Sequence, residues 1–524
     1  MENKNAVNKT VPHFLNKGVF GCIYKPNISC LGDDTSELYI SKLSFIPTNN
    51  TSDILFDKEN IEKKPNIIRE TYIGHIIQTF PLFYNYFSPI IKSCPINVSS
   101  IPQNEFLKCN IFNINPQSLY NTSNNDFISS KVLFIDGGFL TDYFDNIQKD
   151  MDISNDLLFY KVLDTYLYLI NSIFILQGNG NITDNSIVHF DLKNNNIIFD
   201  KNRGIPIIID FGISFTRSMI FTDQPQLLNK FFYAYSCEYP VWCIDIVLIS
   251  YVVNVLFSKY LNEEEEEEEE EEELDYEEKP NAEEKPNADE KPNAEEKPDA
   301  EEKPDAEEKP NAEEKPNAEE KPNADEKPDA EEKPDAEEKP DAEEKPDAEE
   351  KPNAEEKPNA EEKLNNIVKG GENPEEIKTL NDFYNSNIQN TDELQKVFDF
   401  FVEKNPIFKI EMFSTIEIDL FINGWKAYIQ SFKDKSWKEF IHNLLEHYLT
   451  WDIYSISTMY IFYYHSFKSK GIKFKKNDNV KNDNLLTKIK EYILYFPVLN
   501  NTTNTNVRPS AKDIMLFFTT KKSD

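Results

Sequence analysis

From Glu263 to Lys363 the chain stops reading as a folded protein. Eleven consecutive glutamates are followed by Leu274-Asp275-Tyr276, then by fourteen hexads of the form [E/D]EKP[N/D]A, closing on Glu361-Glu362-Lys363. No repeat offers an apolar side chain larger than alanine or proline with which to bury a face against its neighbour, so the tract is not a solenoid. Proline in every hexad prevents a continuous helix, and like charges keep the chain expanded. The tract is therefore expected to be disordered, and any fold must be built from what precedes and follows it. Nearly all of the formal charge of −37 borne by the 524 residues sits in it. The remainder is close to neutral, which removes the basic field that would argue for nucleic acid as a direct partner. The tract itself is suited either to a solvated spacer or to the recruitment of basic proteins.

The remaining residues are rich in Ile, Phe, Tyr and Leu, with only 14 Gly in the whole chain, and are numerous enough for a sizeable core. Six cysteines, Cys22, Cys30, Cys94, Cys109, Cys237 and Cys243, are scattered without a C-x-x-C pair. That spacing is poor material for a zinc site or a disulfide framework and suits a reducing, cytoplasmic setting. The opening MENKNAVNKTVPHFLNKG has no apolar core of the signal-peptide kind. The apolar run Val241–Phe257 is at the lower edge of a membrane span and contains Asp245 and Asn254, so it reads as a buried core helix with no membrane role.

Before the acidic tract, short β-like runs (Leu38–Lys42, Lys131–Ile135, Ile197–Phe199, Ile205–Ile209) alternate with helical stretches (Ile61–Thr79, Asp156–Gln177). After it, Leu394–Phe400, Trp425–Phe432, Trp437–Tyr448, Trp451–Tyr464 and Leu485–Tyr495 have the apolar spacing of packed helices. A strand-rich part followed by a helix-rich part predicts an α+β architecture.

The most specific string is His189-Phe190-Asp191-Leu192-Lys193-Asn194-Asn195-Asn196, followed nineteen residues after Asp191 by Asp210-Phe211-Gly212. The apolar runs between them predict a hairpin holding both carboxylates at one edge. These strings resemble the H-R-D-L-K-x-x-N catalytic loop and D-F-G of eukaryotic-type serine/threonine protein kinases, and the Asn/Ile/Lys-rich composition is similar to that of divergent kinases of large DNA viruses. The resemblance implies a bilobal fold, with a small β-rich N-lobe and a helical C-lobe, that transfers the γ-phosphate of Mg-ATP to a protein hydroxyl. It makes Asp191 the base, Lys193 the γ-phosphate contact, and Asn196 and Asp210 the magnesium ligands. Lys193, two residues after the base, favours a serine or threonine acceptor.

Other segments extend the resemblance. Gly18-Val19-Phe20-Gly21 is similar to the second half of a glycine-rich phosphate loop, with Asn16 where the first glycine of the triplet would stand. Leu38-Tyr39-Ile40-Ser41-Lys42 resembles the strand that supplies the α/β-phosphate lysine, making it Lys42, paired with Glu70 or, alternatively, Glu59 or Glu62. Val132 to Leu140 resembles the hinge, so Leu133 to Ile135 would offer backbone hydrogen bonds to adenine, with Val132 as gatekeeper and Ile23, Ile40 and Ile198 enclosing the ring. Ser236-Cys237-Glu238 is similar to A-P-E, with Asp245 a second candidate for its carboxylate and Arg508, in Arg508-Pro509-Ser510-Ala511, the partner. Trp451-Asp452-Ile453-Tyr454-Ser455 resembles the start of the central helix, with Asp452 supporting the catalytic loop. Its late position implies one kinase domain divided between 14–262 and 451–520, interrupted by the acidic insert 263–363 and a helical stretch 364–450 of open fold. Phe190 stands where the family has arginine, which argues against switching through an activation-loop phosphate. The alternative is a pseudokinase or scaffold that recruits basic partners through the insert. A small-molecule kinase, which lacks R-P-S-A and the D-I-Y-S helix, fits less well.

Overall fold

The computed structural model describes residues 11–17, 21–30, 35–45, 66–109, 127–149, 155–222, 225–261, 374–470, 490 and 508–520. The acidic tract, Gly18, Glu59, Glu62 and all of Leu485–Tyr495 except Lys490 lie outside the described residues. Described residues on both sides of the tract belong to one unit.

The N-terminal region is a sheet. Strands β1 (His13–Lys17), β2 (Cys22–Lys25), β3 (Tyr39–Phe45), β5 (Ile90–Ile96) and β6 (Phe127–Leu133) form one antiparallel layer in the order β1-β2-β3-β6-β5. The two-residue periodicity of a strand explains β3: Ser41 and Leu43 are buried while Lys42 between them emerges on the other face. The expected strand at Lys131–Ile135 begins four residues earlier, because Phe127 and Ile128 pair with Phe45 and Ser44 and are themselves buried. Helix α1 (Asn66–Ile77) packs on β5, and Gly74 is required there, since a Cβ would lie 2.2 Å from the Ile90 carbonyl oxygen.

Under this sheet Tyr24, Leu43, Phe106 and Phe127 form a small separate core, and here the cysteine reading is corrected. Cys22 is bonded to Cys109 and Cys30 to Cys94. The partners are 87 and 64 residues apart in sequence, so only the folding of the sheet brings them together, and local spacing could not show it. Only Cys237 and Cys243 are free, both buried.

A second sheet, β4-β10-β9-β7, joins Phe87–Ser88, Ile205–Ile209, Ile197–Asp200 and Gly137–Phe139. The expected hairpin is present, with Ile197 opposite Ile208 and Asp200 opposite Ile205. Beside it, β8 (Ile187–Val188) pairs with β11 (Phe215–Thr216).

The C-terminal region is helical. After α2 (Leu140–Lys149), helix α3 (Asn155–Leu176) runs through the main core. Helix α4 (Ile244–Leu261) is the one described helix long and apolar enough to cross a membrane, yet most of it is buried inside the protein. Beyond the tract come α5 (Pro374–Asn385), α6 (Asp392–Lys404), α7 (Thr415–Gln430), α8 (Trp437–Leu445), α9 (Trp451–Ser469) and α10 (Ala511–Thr520). Their starts are written locally: Ser414 and Glu417 form a reciprocal cap, as do Ser510 and Asp513, and Ser436 accepts from the Glu439 amide.

Residues 374–450 extend the core: α6 and α8 pack on α4, and the Phe383 ring of α5 meets Phe257 and Tyr260 with centroids 5.6 and 5.3 Å away. Helices α9 and α10 pack on α3, where Tyr460 donates to the Thr165 hydroxyl at 2.7 Å. The protein is thus α+β, with a sheet region first and a helical region after it.

Candidate functional site

The site lies where the two sheets and the helical core meet, and it is built from two adjoining ionic groups. Lys42 projects from β3, and its ammonium nitrogen is 2.9 Å from Glu70 Oε2 and 3.0 Å from Asp210 Oδ1. Glu70 is presented by α1 and is buried, whereas the Asp210 side chain keeps 43% of its surface exposed. Burial alone would depress the Lys42 ammonium, but the carboxylates of Glu70 and Asp210 outweigh it and push its pKa up. Burial also opposes the Asp210 charge, yet Lys42 beside it holds that carboxyl below the usual range, with smaller help from His189 and Lys193. Gly212 lies against the cluster, where a Cβ would make ordinary contact at 3.4 Å from Asp210 Oδ1 and 3.6 Å from Glu70 Oε2.

The second group is the loop after β8. Asp191 Oδ2 lies 2.8 Å from the Lys193 ammonium and accepts from Asn196 Nδ2 at 3.0 Å. The same amide nitrogen donates to the Asp191 backbone carbonyl at 2.8 Å, so the Asn196 amide oxygen is the atom left to serve a cation. The loop is held from behind by Asp452, whose two carboxylate oxygens accept the His189 and Phe190 amides at 2.8 and 2.9 Å. Burial pushes the Asp452 carboxyl up, while His189 and the two amides work the other way. His189 Nε2 lies 2.9 Å from the Ile209 carbonyl and Nδ1 accepts the Asp191 amide at 3.3 Å, which assigns the ring proton to Nε2. Phe190 (φ 71°) and Asp210 (φ 61°) adopt the left-handed conformation that side chains rarely take, so both aspartates sit beside or on strained backbone.

Phe190 is buried among Phe215, Phe232, Trp242 and Trp451, and its carbonyl accepts from Trp242 Nε1 at 3.1 Å. Aromatic packing thus fills the place the resemblance gives to arginine.

Asp245, at the start of α4, pairs with Arg508, just before α10; their side chains are 0% and 3% exposed. Glu238, the first candidate for that role, is exposed on the surface. The Cys243 thiol alongside is pushed up to about 12 by burial and by Asp245.

Ile23 and Ile40 lie on neighbouring strands, opposite Lys42 and Val132 respectively, and are half-buried; Ile198 is half-buried on the second sheet opposite Phe139. The Leu133 carbonyl already accepts from Ser88 Oγ at 2.9 Å and the Phe134 amide donates to the Leu38 carbonyl at 2.9 Å, so part of the expected adenine-binding backbone is engaged within the protein. Gly21 has a packing reason to be glycine, because a Cβ would lie 2.5 Å from the Leu43 carbonyl oxygen.

Three contributors escaped the sequence reading. Tyr239 donates its hydroxyl to Asp191 Oδ1 at 2.5 Å. Tyr463 of α9 donates to Asn194 in the loop. Arg69, next to Glu70, is buried against the Phe231 ring and has no carboxylate partner among the described residues; burial lowers its pKa to about 10. The stretch Tyr233 to Pro240 holds three tyrosines, and no spacing rule says which reaches the loop.

Chemically, the site offers the Asp191 carboxylate, engaged by Lys193, Asn196 and the Tyr239 hydroxyl, two ammonium groups, and Asn196 and Asp210 oxygens that would suit a hydrated magnesium ion. No group of three or more His, Cys, Asp or Glu side chains placed to hold a metal exists among the described residues. No protein-family model matches the chain, and no curated protein matches its sequence.

Proposed function

We propose that the chain is a bilobal, Mg-ATP-dependent protein kinase acting on a serine or threonine hydroxyl. The observation that carries the reading is the joining of Lys42, Glu70 and Asp210, from residues 168 apart in sequence, beside a loop in which Asp191, Lys193 and Asn196 bond one another. A random acidic string would not place two ionic groups so that each loop residue has a partner. The backing of that loop by Asp452 and the Asp245–Arg508 pair add support.

In this reading Lys42, held rigid by Glu70, binds the α/β-phosphates, and Lys193 neutralises charge on the transferred phosphoryl group. Asn196 and Asp210 would hold magnesium, which when bound screens the negative charge of the phosphates. Asp191 accepts the proton of the acceptor hydroxyl. Ile23, Ile40 and Ile198 would enclose adenine against the backbone around Ile135.

The test is Mg-dependent transfer of labelled γ-phosphate from ATP to a basic acceptor protein, in wild type, Asp191→Ala and Asp210→Ala. Transfer lost in both variants supports the reading. Absence of transfer by folded wild type across several acceptors would sink it and favour a scaffold that recruits basic proteins through the acidic tract. The two disulfides favour a setting shielded from cytosolic reductants over the reducing cytoplasm expected from the sequence; a thiol count on protein isolated under alkylating conditions decides between them.

A further inference from the structure

Tyr239 has a position that its packing alone does not require. Its ring meets Trp242 edge-on with centroids 5.1 Å apart, which any aromatic side chain would satisfy. Its hydroxyl, however, is aimed at Asp191 Oδ1, 2.5 Å away. The other carboxylate oxygen is taken by Lys193 and Asn196. Tyr239 therefore occupies the one oxygen of the base that could receive a proton from an acceptor. The Lys193 ammonium, which the proposed function assigns to the moving phosphate, lies 5.9 Å from the centre of the Tyr239 ring. Burial and the neighbouring Asp191 both push the phenol pKa up, so it keeps its proton until a base removes it. A protonated hydroxyl, hydrogen-bonded to the base and beside the phosphate-binding lysine, is what an acceptor looks like before transfer.

We propose that Tyr239 is a modification site, the chain's own phosphoryl acceptor, filled by transfer within one molecule before outside acceptors gain the base. The inference rests on the kinase reading. In the step, the Tyr239 oxygen forms a bond to the γ-phosphorus of ATP as the bond from that phosphorus to the β,γ-bridging oxygen breaks. The phenolic proton passes to Asp191 and ADP leaves. The product places a phosphate of nearly two negative charges next to a carboxylate, and that repulsion drives the modified side chain away from Asp191. The base is then open to a serine or threonine of another protein. Phe190, walled in by aromatic rings, offers no cation to hold the new phosphate in place, so the modification clears the site instead of ordering it.

Full-length protein, first treated with phosphatase, is incubated with Mg-ATP at a series of protein concentrations, with and without a basic acceptor protein, and sites are mapped by mass spectrometry. The expected result is phosphate on Tyr239 with a first-order rate constant independent of protein concentration, and transfer to the outside acceptor that begins only after a lag. Tyr239→Phe should lose that phosphopeptide and phosphorylate the acceptor without the initial lag. An acceptor phosphorylated while Tyr239 stays bare overturns the inference and leaves the kinase reading standing, as does a Tyr239 first-order rate constant that rises with protein concentration. No transfer to any residue or acceptor overturns the kinase reading and this inference with it. The mapping on wild type does not depend on any variant folding.

Discussion

Two of the ion clusters among the described residues are made from the same kinds of side chain and differ in burial. Asp245 and Arg508 are shut away between α4 and α10, with 0% and 3% of their side chains exposed. Lys42, Glu70 and Asp210 stand at the meeting of the sheets, with Asp210 43% exposed. The buried pair has the Cys243 thiol beside it and joins segments on either side of the acidic tract. The open cluster keeps one carboxylate turned toward solvent and adjoins the loop that carries Asp191, the proposed base. Burial therefore separates architecture from chemistry here, and variants should break the two clusters in different ways.

The largest effect belongs to the open cluster. Asp191→Ala or Asp210→Ala should reduce phosphoryl transfer by about a thousandfold or more, while thermal unfolding stays close to wild type because neither aspartate belongs to the packed core. A large fall in melting temperature in Asp210→Ala would mean that this cluster, too, is structural and would erase the contrast.

The buried pair should behave the other way. Arg508→Met leaves Asp245 charged without a partner in the core and should cost about 3–5 kcal/mol of stability. The double variant Asp245→Leu with Arg508→Met removes both charges and should recover most of that loss. Denaturant unfolding of the three variants measures this. A double variant no better than Arg508→Met would show that the pair contributes attraction beyond what its desolvation costs.

A third effect is confined to the sheet region. Reducing Cys22–Cys109 and Cys30–Cys94 should lower stability by about 2–4 kcal/mol for a bond of this kind. Hydrogen exchange should locate the loosening in β1, β2 and β5, leaving α3, α4 and α9 protected. Uniform loosening of both regions would mean that the sheet and the helices unfold together.

These contrasts show what a linear reading can reach. The Asp191 loop and Asp210 were legible because their partners lie within a few residues or one hairpin of each other, and a hairpin of two apolar runs has few ways to fold. Arg508 was legible as one half of a pair, but its partner was open between Glu238 and Asp245. The physical clue was present: Asp245 sits inside an apolar run, where an unpaired carboxylate would be costly, whereas Glu238 lies outside that run and can face water. The disulfides were not legible, since their partners meet only through β-strand pairing across 87 and 64 residues. Nor was Tyr239, because its contact depends on how an irregular stretch returns to the loop. Residues 374–450 read as helices but not as part of the main core, since an apolar helical face shows only that it needs a partner.

The smallest effect is a pH dependence, and its sign follows from the open cluster. Lys42 holds the Asp210 carboxyl below its ordinary value. Such a group contributes stability that is fully present above the ordinary carboxylate range and is lost as pH falls through the lowered folded value. Lys42 is shifted up, so its contribution is present below the ordinary lysine value and is lost only as pH rises through the raised folded one. Between those limits the Asp210–Lys42 pair should be insensitive to pH, whereas burial pushes the Glu70 carboxyl beside it up against the pull of Lys42. Comparing unfolding of wild type with Asp210→Asn across acid pH should give a difference that is flat from neutrality to the ordinary carboxylate range and shrinks below it. Lys42→Met should abolish or reverse that shrinkage, because burial then acts on Asp210 without its main opposing charge and raises its folded-state pKa toward or past the ordinary value. If the profile of Asp210 stays put in Lys42→Met, the two groups are not coupled, and the open cluster loses the electrostatic basis that distinguishes it from the buried pair.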